Sequence, residues 1–446
     1  MGQPMTQAEL TGWGRFRPVA TVLHTPRTAP EVATLLQSAN PAIARGNGLA
    51  YGDSAVSSGY TISTRRMNRM LHFEPEHGLL EVECGVTLAD IAAAMLPRGW
   101  FPPVLPGSGA VTVGGAIAAD VHGKNHVHTG SFRGCVVWMD VIDKNGRVRR
   151  CSSTVQPDLF DHTLGGMGLT GVILAACLRL APVETGWICQ EQVTTSNFRH
   201  TVAELRAARA APYAVAWLDG LTTGASFGRG VVMKGHHARY DDLPATLGSR
   251  TPRDAPSTRL RFDWPKWVLN TTSMRAFNAL YFNRASTRTA PQLVDWRSFF
   301  FPLDAIDLWP RAYGSRGLLQ FQCVLPHDTA EPGLEHILRA TQEARCPPFL
   351  AVLKELGMQE SAFSFPMPGL TLALDFPASP AALKVLDRLD AIVIENGGRV
   401  YLAKDARLKA GILRQSDPRA DTFAAYRSEQ GLDAHFQSAQ SKRVQI

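Results

Sequence analysis

His122-Gly123-Lys124-Asn125-His126 sets two histidines around a lysine and an asparagine, closely behind two glycine-rich turns, Pro106-Gly107-Ser108-Gly109 and Val113-Gly114-Gly115. The small residues Ala116, Ala118 and Ala119 fill the space between. Glycines let a backbone approach a ligand and aim N–H groups at an anion, and alanines let the chain sit tightly against a flat ring. Because both halves fall between Pro103 and His126, a site for a bulky phosphorylated cofactor is expected here. A second loop, Arg45-Gly46-Asn47-Gly48-Leu49-Ala50-Tyr51-Gly52-Asp53, follows the short apolar run Ala42-Ile43-Ala44. Three glycines and an arginine after a strand suit a phosphate, although the spacing is not the dinucleotide fingerprint. Gly165 to Gly171 does contain a literal G-x-G-x-x-G, but a helix-like segment precedes it and a strand-like run, Val172 to Leu180, follows. That order reverses a Rossmann turn, so a tight packing turn bordering the cofactor is expected.

The elements that must position these loops can be read from periodicity. Helices are expected over Pro30 to Ala39, Leu88 to Leu96 and Asp158 to Leu164, with a strand over Gly78 to Val86. Cys135 to Asp143 and Gly146 to Cys151 form a hairpin around Asn145-Gly146. After about Pro182 the pattern changes. Tyr213 to Leu218, Gly317 to Leu325, Leu350 to Lys354 and Leu370 to Phe376 alternate like strands of a half-buried antiparallel sheet, with helices around Glu331 to Glu343 and Pro380 to Asn396. Alternation sets Gln320 and Gln322 on one face and Leu319 and Phe321 on the other, so a polar wall of a pocket is expected. Gly224 to Ala290, of mixed charge with Trp264, Trp267, Phe277 and Tyr281, reads equally as a lid, an interfacial flap or a surface excursion.

Composition bounds the rest. The 446 residues exceed one ordinary core, and 45% hydrophobic with 19% charged residues describes a globular chain of two domains. The net charge of +7 is scattered, without the basic stripe and interleaved aromatics that nucleic acid requires. Seven cysteines, odd in number and without C-x-x-C, support neither a disulfide framework nor a metal site. A reducing compartment follows. The start MGQPMTQAEL lacks a basic, apolar leader, and no apolar run reaches the roughly 18 residues of a membrane span. The expected location is the cytoplasm, with any membrane contact peripheral, at the inner membrane.

The chain resembles the vanillyl-alcohol-oxidase/p-cresol-methylhydroxylase (PCMH) flavoprotein superfamily, and within it the decaprenylphosphoryl-β-D-ribose 2′-oxidases. The segments that carry this are LTGWGR (Leu10 to Arg15), ARGNGLAYGD (Ala44 to Asp53), VLPGSGAVTVGGAIAADVHGKNH (Val104 to His126), GGMGLTG (Gly165 to Gly171), RAYG (Arg311 to Gly314), LLQFQCVLP (Leu318 to Pro326), SFPMPG (Ser364 to Gly369) and GGRVYLAKDAR (Gly397 to Arg407). The resemblance implies a two-domain α+β fold: a PCMH-type FAD-binding domain over residues 1–185, an antiparallel-sheet substrate domain over 186–398, and a segment, 399–446, returning to the first. It implies FAD held by Arg45 to Asp53, Gly107, Thr112, Val113, Gly114, Gly115, Ala119, Asp120, Val121, His122, Ile173 and Tyr401. Leu49 stands where many relatives carry a flavin-linking histidine, so the FAD is expected to be non-covalent.

The implied reaction oxidises the C2′ hydroxyl of a polyprenyl-phosphoryl ribofuranose to the 2′-ketone, with hydride passing to the flavin. A separate NAD(P)H-dependent reductase would then complete an epimerisation to the arabinose form. Such a step needs a group that takes the hydroxyl proton and donors that hold the sugar. Lys404 and His122 are the catalytic candidates; Tyr51, Tyr313, Gln320, Gln322, Lys354, Thr371 and Lys404 are the substrate-binding ones. Leu370, Thr371 and Ala373 depart from the tryptophan, asparagine and cysteine of the best-known members, which leaves sugar and lipid length open. An alditol, carbohydrate or lactone oxidase of the same superfamily, and a flavin-binding sensor or scaffold without catalysis, remain alternatives at this point.

Overall fold

The computed structural model describes residues 6–247, 251–252, 257–265, 267–288 and 290–446. Parts of two sequence readings, the leader at residues 1–5 and the Gly224 to Ala290 segment at 248–250, 253–256, 266 and 289, lie outside the described residues.

The first sheet holds β1 (Thr6–Leu10), β2 (Val19–His24), β3 (Ala42–Arg45) and β4 (Tyr60–Ser63) in the order β1-β2-β4-β3. Strands β2, β4 and β3 run parallel, which demands a crossover. Helix Ala29–Leu36 supplies it: Thr28 accepts the Glu31 N–H, Pro30 sits where a missing N–H costs nothing, and Val32 and Leu36 turn inward. The parallel strands deliver the Arg45 to Asp53 loop.

The second sheet is antiparallel, with β5 (Met70–Glu74), β6 (Leu79–Glu83), β7 (Val136–Ile142), β8 (Val148–Ser152) and β9 (Val172–Arg179) in the order β5-β6-β9-β7-β8. Strand β9, the apolar run VILAACLR, occupies the centre and is mostly buried along its length. Helix Val113–Ala118, capped by the Thr112 hydroxyl on Gly115 N–H at 3.3 Å, packs across this sheet and sets the second glycine turn.

The third sheet has eight strands: β10 (Trp187–Thr195), β11 (Tyr213–Leu218), β12 (Gly230–His237), β13 (Gln292–Asp295), β14 (Leu318–Pro326), β15 (Leu350–Leu356), β16 (Gly369–Pro377) and β17 (Arg399–Val400). Their order is β13-β10-β12-β11-β15-β16-β14-β17, and the pairings are antiparallel. Leu319, Phe321, Cys323 and Leu325 of β14 are buried in one core with residues of helices Phe198–Ala207, His327–Glu343 and Pro380–Glu395, among them Leu334, Ile337, Leu386 and Leu389. Register opposes Gln322 to Ala373, and Ala373 to Val352. Those residues share the other face, as alternation requires.

From Tyr401 the chain leaves this sheet and packs back on the first. Ala42 N–H donates to His435 at 2.8 Å, and Gln437 N–H donates to Ala42 at 3.0 Å. Arg443 bridges Asp53 at 2.6 Å and Asp405 at 3.0 Å. The fully buried Arg427 guanidinium donates to the carbonyls of Leu169 and Phe436. The result is a two-domain α+β fold. Strands β10, β12 and β13 were not legible beforehand: the middle of β10 is Gln-Glu-Gln, and its partners come from distant sequence.

Candidate active site

The polar face of the third sheet closes over the glycine loops and leaves a cleft of about 1680 Å³ of empty space, its open mouth included. One side is built by Gly46, Asn47, Gly48, Leu49, Ala50 and Tyr51, by Gly107, Thr112, Gly114, Gly115, Ala119 and Val121, and by Ile173 of β9. The facing side is built by Gln320, Gln322, Leu350, Val352, Lys354 and Ala373, while His122, Tyr401, Ala403 and Lys404 complete the lining. Met167, Gly168 and Gly171 border it too, as expected of that turn.

Close backbone packing makes the cradle. A Cβ on Gly46 would fall 2.2 Å from the Thr112 hydroxyl, and one on Gly48, at φ +69, 2.1 Å from the Arg45 guanidinium. A Cβ on Gly107 would meet no atom of the described residues within 4 Å. Gly107 lines the cleft, so its bare backbone faces space that a ligand fills. Apolar Ala118, Ala119, Val121 and Ile173 offer a surface for a flat ring, and the glycine turns offer backbone to a pyrophosphate. FAD fits this site.

His122 sits at the centre of a hydrogen-bonded chain. Its Nε2 lies 3.0 Å from Gln322 Nε2 and its Nδ1 lies 3.1 Å from Lys354 Nζ. The Thr371 hydroxyl donates to the Cys323 carbonyl at 2.8 Å, so it accepts from Gln322 Nε2 at 3.0 Å. The Gln322 amide therefore donates to His122 as well, Nε2 is the acceptor, and Nδ1 carries the proton toward Lys354. Burial, then Lys354, His126 and Lys404, push His122 well below the ordinary histidine value. Lys354 is pushed down to about 7 by burial and by Lys404 and Lys124, and Lys124 to about 7 by burial. A neutral amine facing a neutral imidazole is what this chain requires.

Lys404 Nζ lies 4.2 Å from the centre of the Tyr51 ring, a cation–π contact. Burial lowers its proton affinity and Asp375 opposes that. Asp375 is itself raised by burial, against a hydrogen bond donated by Gln320 and the charge of Lys404. Its second carboxylate oxygen and the Gln320 carbonyl oxygen are buried without hydrogen-bond partners among the described residues. Buried Tyr51 and half-buried Tyr313 are both raised by desolvation and by Asp375. With Lys354 neutral, the cation of the cleft is Lys404, set beside the Asp375 carboxylate.

Residues 20–152 match a family model described as an FAD binding domain. Over 99% of its length the chain is 35% identical to a decaprenylphosphoryl-beta-D-ribose oxidase of Mycolicibacterium smegmatis (strain ATCC 700084 / mc(2)155), covering 98% of that protein. The chain belongs to the decaprenylphosphoryl-β-D-ribose oxidase family. It is an FAD-dependent oxidoreductase, and its FAD-binding domain is of the PCMH type. A Streptomyces coelicolor protein described as an uncharacterized protein in mprA 5'region is 33% identical over 80% of this chain and 100% of its own. An L-gulonolactone oxidase of Mus musculus is 31% identical over 31% of each chain.

Several residues expected at the site of this family member stand behind the lining. Arg45 donates to the carbonyls of Thr11 at 2.8 Å and Ala55 at 3.4 Å, so it braces the loop. Gly52 presses on the Asp405 carbonyl, Asp53 holds Arg443, and Val113 is in the core. Asp120, at φ +40, accepts from Ser131, from Arg133 N–H and from Gln359, whose carbonyl oxygen meets His126 at 3.2 Å. It holds the His122 to His126 turn in shape. Thr371 supports Gln322 from below, and half-buried Tyr313 packs its ring against Trp309 and Phe349. Of the departures on β16, Leu370 joins the helix-facing core and Ala373 alone lines the cleft, Thr371 acting through Gln322.

Sequence reasoning passed over Asp375, although it alternates with Thr371 and Ala373 and so shares their face. It also passed over Trp13, Leu303 and Trp309, which line the cleft from loops without periodic signal.

Proposed function

We propose that this chain oxidises the C2′ hydroxyl of a polyprenyl-phosphoryl-β-D-ribofuranose to the 2′-keto sugar, the first half of an epimerisation to the arabinose form. The observation that carries the reading is the His122–Lys354–Gln322 constellation set opposite the glycine cradle, with Lys404 beside it. Residues 1–185 with 399–446 would hold FAD and 186–398 the substrate. When bound, FAD supplies the hydride acceptor. Leu49 offers no atom for a covalent link, and the thiol of the lining Cys84 is pushed up to about 12 by burial, which supports dissociable FAD.

Lys354 Nζ, neutral and held by His122 Nδ1–H, takes the hydroxyl proton. His122 orients that amine, and Gln322 fixes the imidazole tautomer through Thr371. Lys404 stays charged against Asp375 and Tyr51, and stabilises negative charge in the cleft. Gln320 and Tyr51 would order the sugar, with Tyr313 packed behind them against Trp309. The small Ala373 leaves room beside Gln322 on the cleft wall. A separate NAD(P)H-dependent reductase would consume the ketone, and the lipid-linked substrate calls for peripheral contact with a membrane.

The test is anaerobic mixing of the yellow holoprotein with a short-chain polyprenyl-phosphoryl ribose. Flavin absorbance should bleach, and the product should be lighter by H2. Free ribose, alditols and gulonolactone should not bleach it, and acid precipitation should release the chromophore. Bleaching by the free sugars alone would point to a broader carbohydrate oxidase. Bleaching that survives Lys404→Ala would remove that cation from the reaction.

A further inference from the structure

Helix Thr271–Ser286 is apolar on both sides. Its inner side sets Tyr281, Phe282 and Ala285 against Trp217, Val231 and Leu350, and Leu350 lines the cleft. Its outer side presents Phe277, 57% exposed, Leu280, 70% exposed, and Arg284, at the i, i+3, i+7 spacing of one face. Just before the helix, Trp267 is 76% exposed and Phe262 69% exposed. The same stretch is tied to the mouth of the cleft: Trp264 N–H donates to Arg311 at 2.9 Å, and Asp263 holds Arg15. Bare aromatics and a leucine in such number are not ordinary surface.

Charge selects the occupant. Between residues 257 and 288 the sequence holds five arginines and one aspartate, and that aspartate is committed to Arg15. A second copy of this chain docked about a twofold axis would set this basic face against itself. A bilayer carrying anionic headgroups instead receives the apolar side chains and pairs with the arginines.

We propose that Phe262, Trp267, Phe277 and Leu280, with Arg284, form a docking face for an anionic lipid bilayer, which holds the cleft mouth at the membrane. Its purpose rests on the lipid-linked substrate proposed above, but the face can be tested without it. The holoprotein is sedimented with vesicles of phosphatidylcholine alone or mixed with phosphatidylglycerol, at low and high salt. It should sediment with the anionic vesicles, and high salt should release part of it. The variant W267S/F277S/L280S should partition roughly tenfold or more weakly. Its turnover of a long-chain substrate in vesicles should fall by a similar factor, with turnover of a water-soluble short-chain substrate unchanged.

A holoprotein that stays in the supernatant with both vesicle types overturns the proposal, as does a triple variant that binds like the parent. So does light scattering that shows a dimer of the parent dissolved by the variant. If the triple variant fails to retain flavin, R284E decides, since it should weaken the preference for phosphatidylglycerol and leave the apolar face intact. Absence of turnover on any phosphoribose, with vesicle binding kept, would count against the substrate reading and not against this face.

Discussion

Replacing Lys354 by methionine should make this protein more stable and less active, with a pH dependence that identifies the cause. In the fold the amine binds its proton less tightly than in the unfolded chain, down from 10.5 to about 7, chiefly through burial. At about 1.36 kcal/mol per tenfold change in proton affinity, that difference opposes folding by at most about 5 kcal/mol. The sign follows from proton counts. Below pH 7 both states are protonated and the whole penalty is present; as pH rises toward 10.5 only the unfolded chain keeps the proton, and the penalty disappears. Water in the open cleft beside the amine recovers part of it, and methionine gives up the contact with His122 Nδ1, worth about 1 kcal/mol. A net gain of about 2 kcal/mol at pH 6 remains, shrinking through zero at about pH 9 to 10. Thermal unfolding of parent and variant holoproteins at pH 6, 8 and 9.5 measures this as an upward shift of a few degrees that fades with pH. In parallel, kcat/KM should fall by about 10² to 10⁴, and the rise of the parent's rate through about pH 7 should be lost. A variant that is destabilised at pH 6, or changed equally at every pH, would show that Lys354 is not a neutral, desolvated base.

Gly107→Ala adds a methyl group that touches no atom of the described residues, so the apoprotein should unfold at the parent's temperature while FAD affinity drops by about tenfold or more, read by flavin fluorescence titration. Unchanged affinity would mean that nothing flat or phosphorylated lies against that turn. Asp375→Asn removes the counter-charge of Lys404, so the amine should lose its proton at lower pH and the alkaline limb of kcat should move down, without loss of flavin content. An unmoved limb would separate Asp375 from the reacting cation.

How much of this was legible beforehand depends on the kind of signal. The strands Leu318–Pro326, Leu350–Leu356 and Gly369–Pro377 and the helices His327–Glu343 and Pro380–Glu395 fall where period-2 and period-3.6 patterns put them, because one face of each is buried against a single core. That alternation also placed Gln320 and Gln322 on the cleft wall. Strands Trp187–Thr195 and Gly230–His237 escaped because polar residues, Gln190, Glu191 and Gln192 in one and Lys234, His236 and His237 in the other, interrupt their apolar runs. Arg45 shows a related limit: residue type marks a charge, but only the packed loop reveals that its guanidinium also donates to the carbonyls of Thr11 and Ala55.

By itself, the sequence determined which backbone stretches can come close to a large ligand, since glycine and alanine permit that approach wherever they stand. It also placed a lysine and a histidine in unusual motifs. Only tertiary structure decided that His122, Lys354 and Gln322, more than two hundred residues apart at the extremes, share one chain of hydrogen bonds. Their protonation is a property of that meeting, because burial and neighbouring charge act through distance in space, which no spacing along the chain encodes.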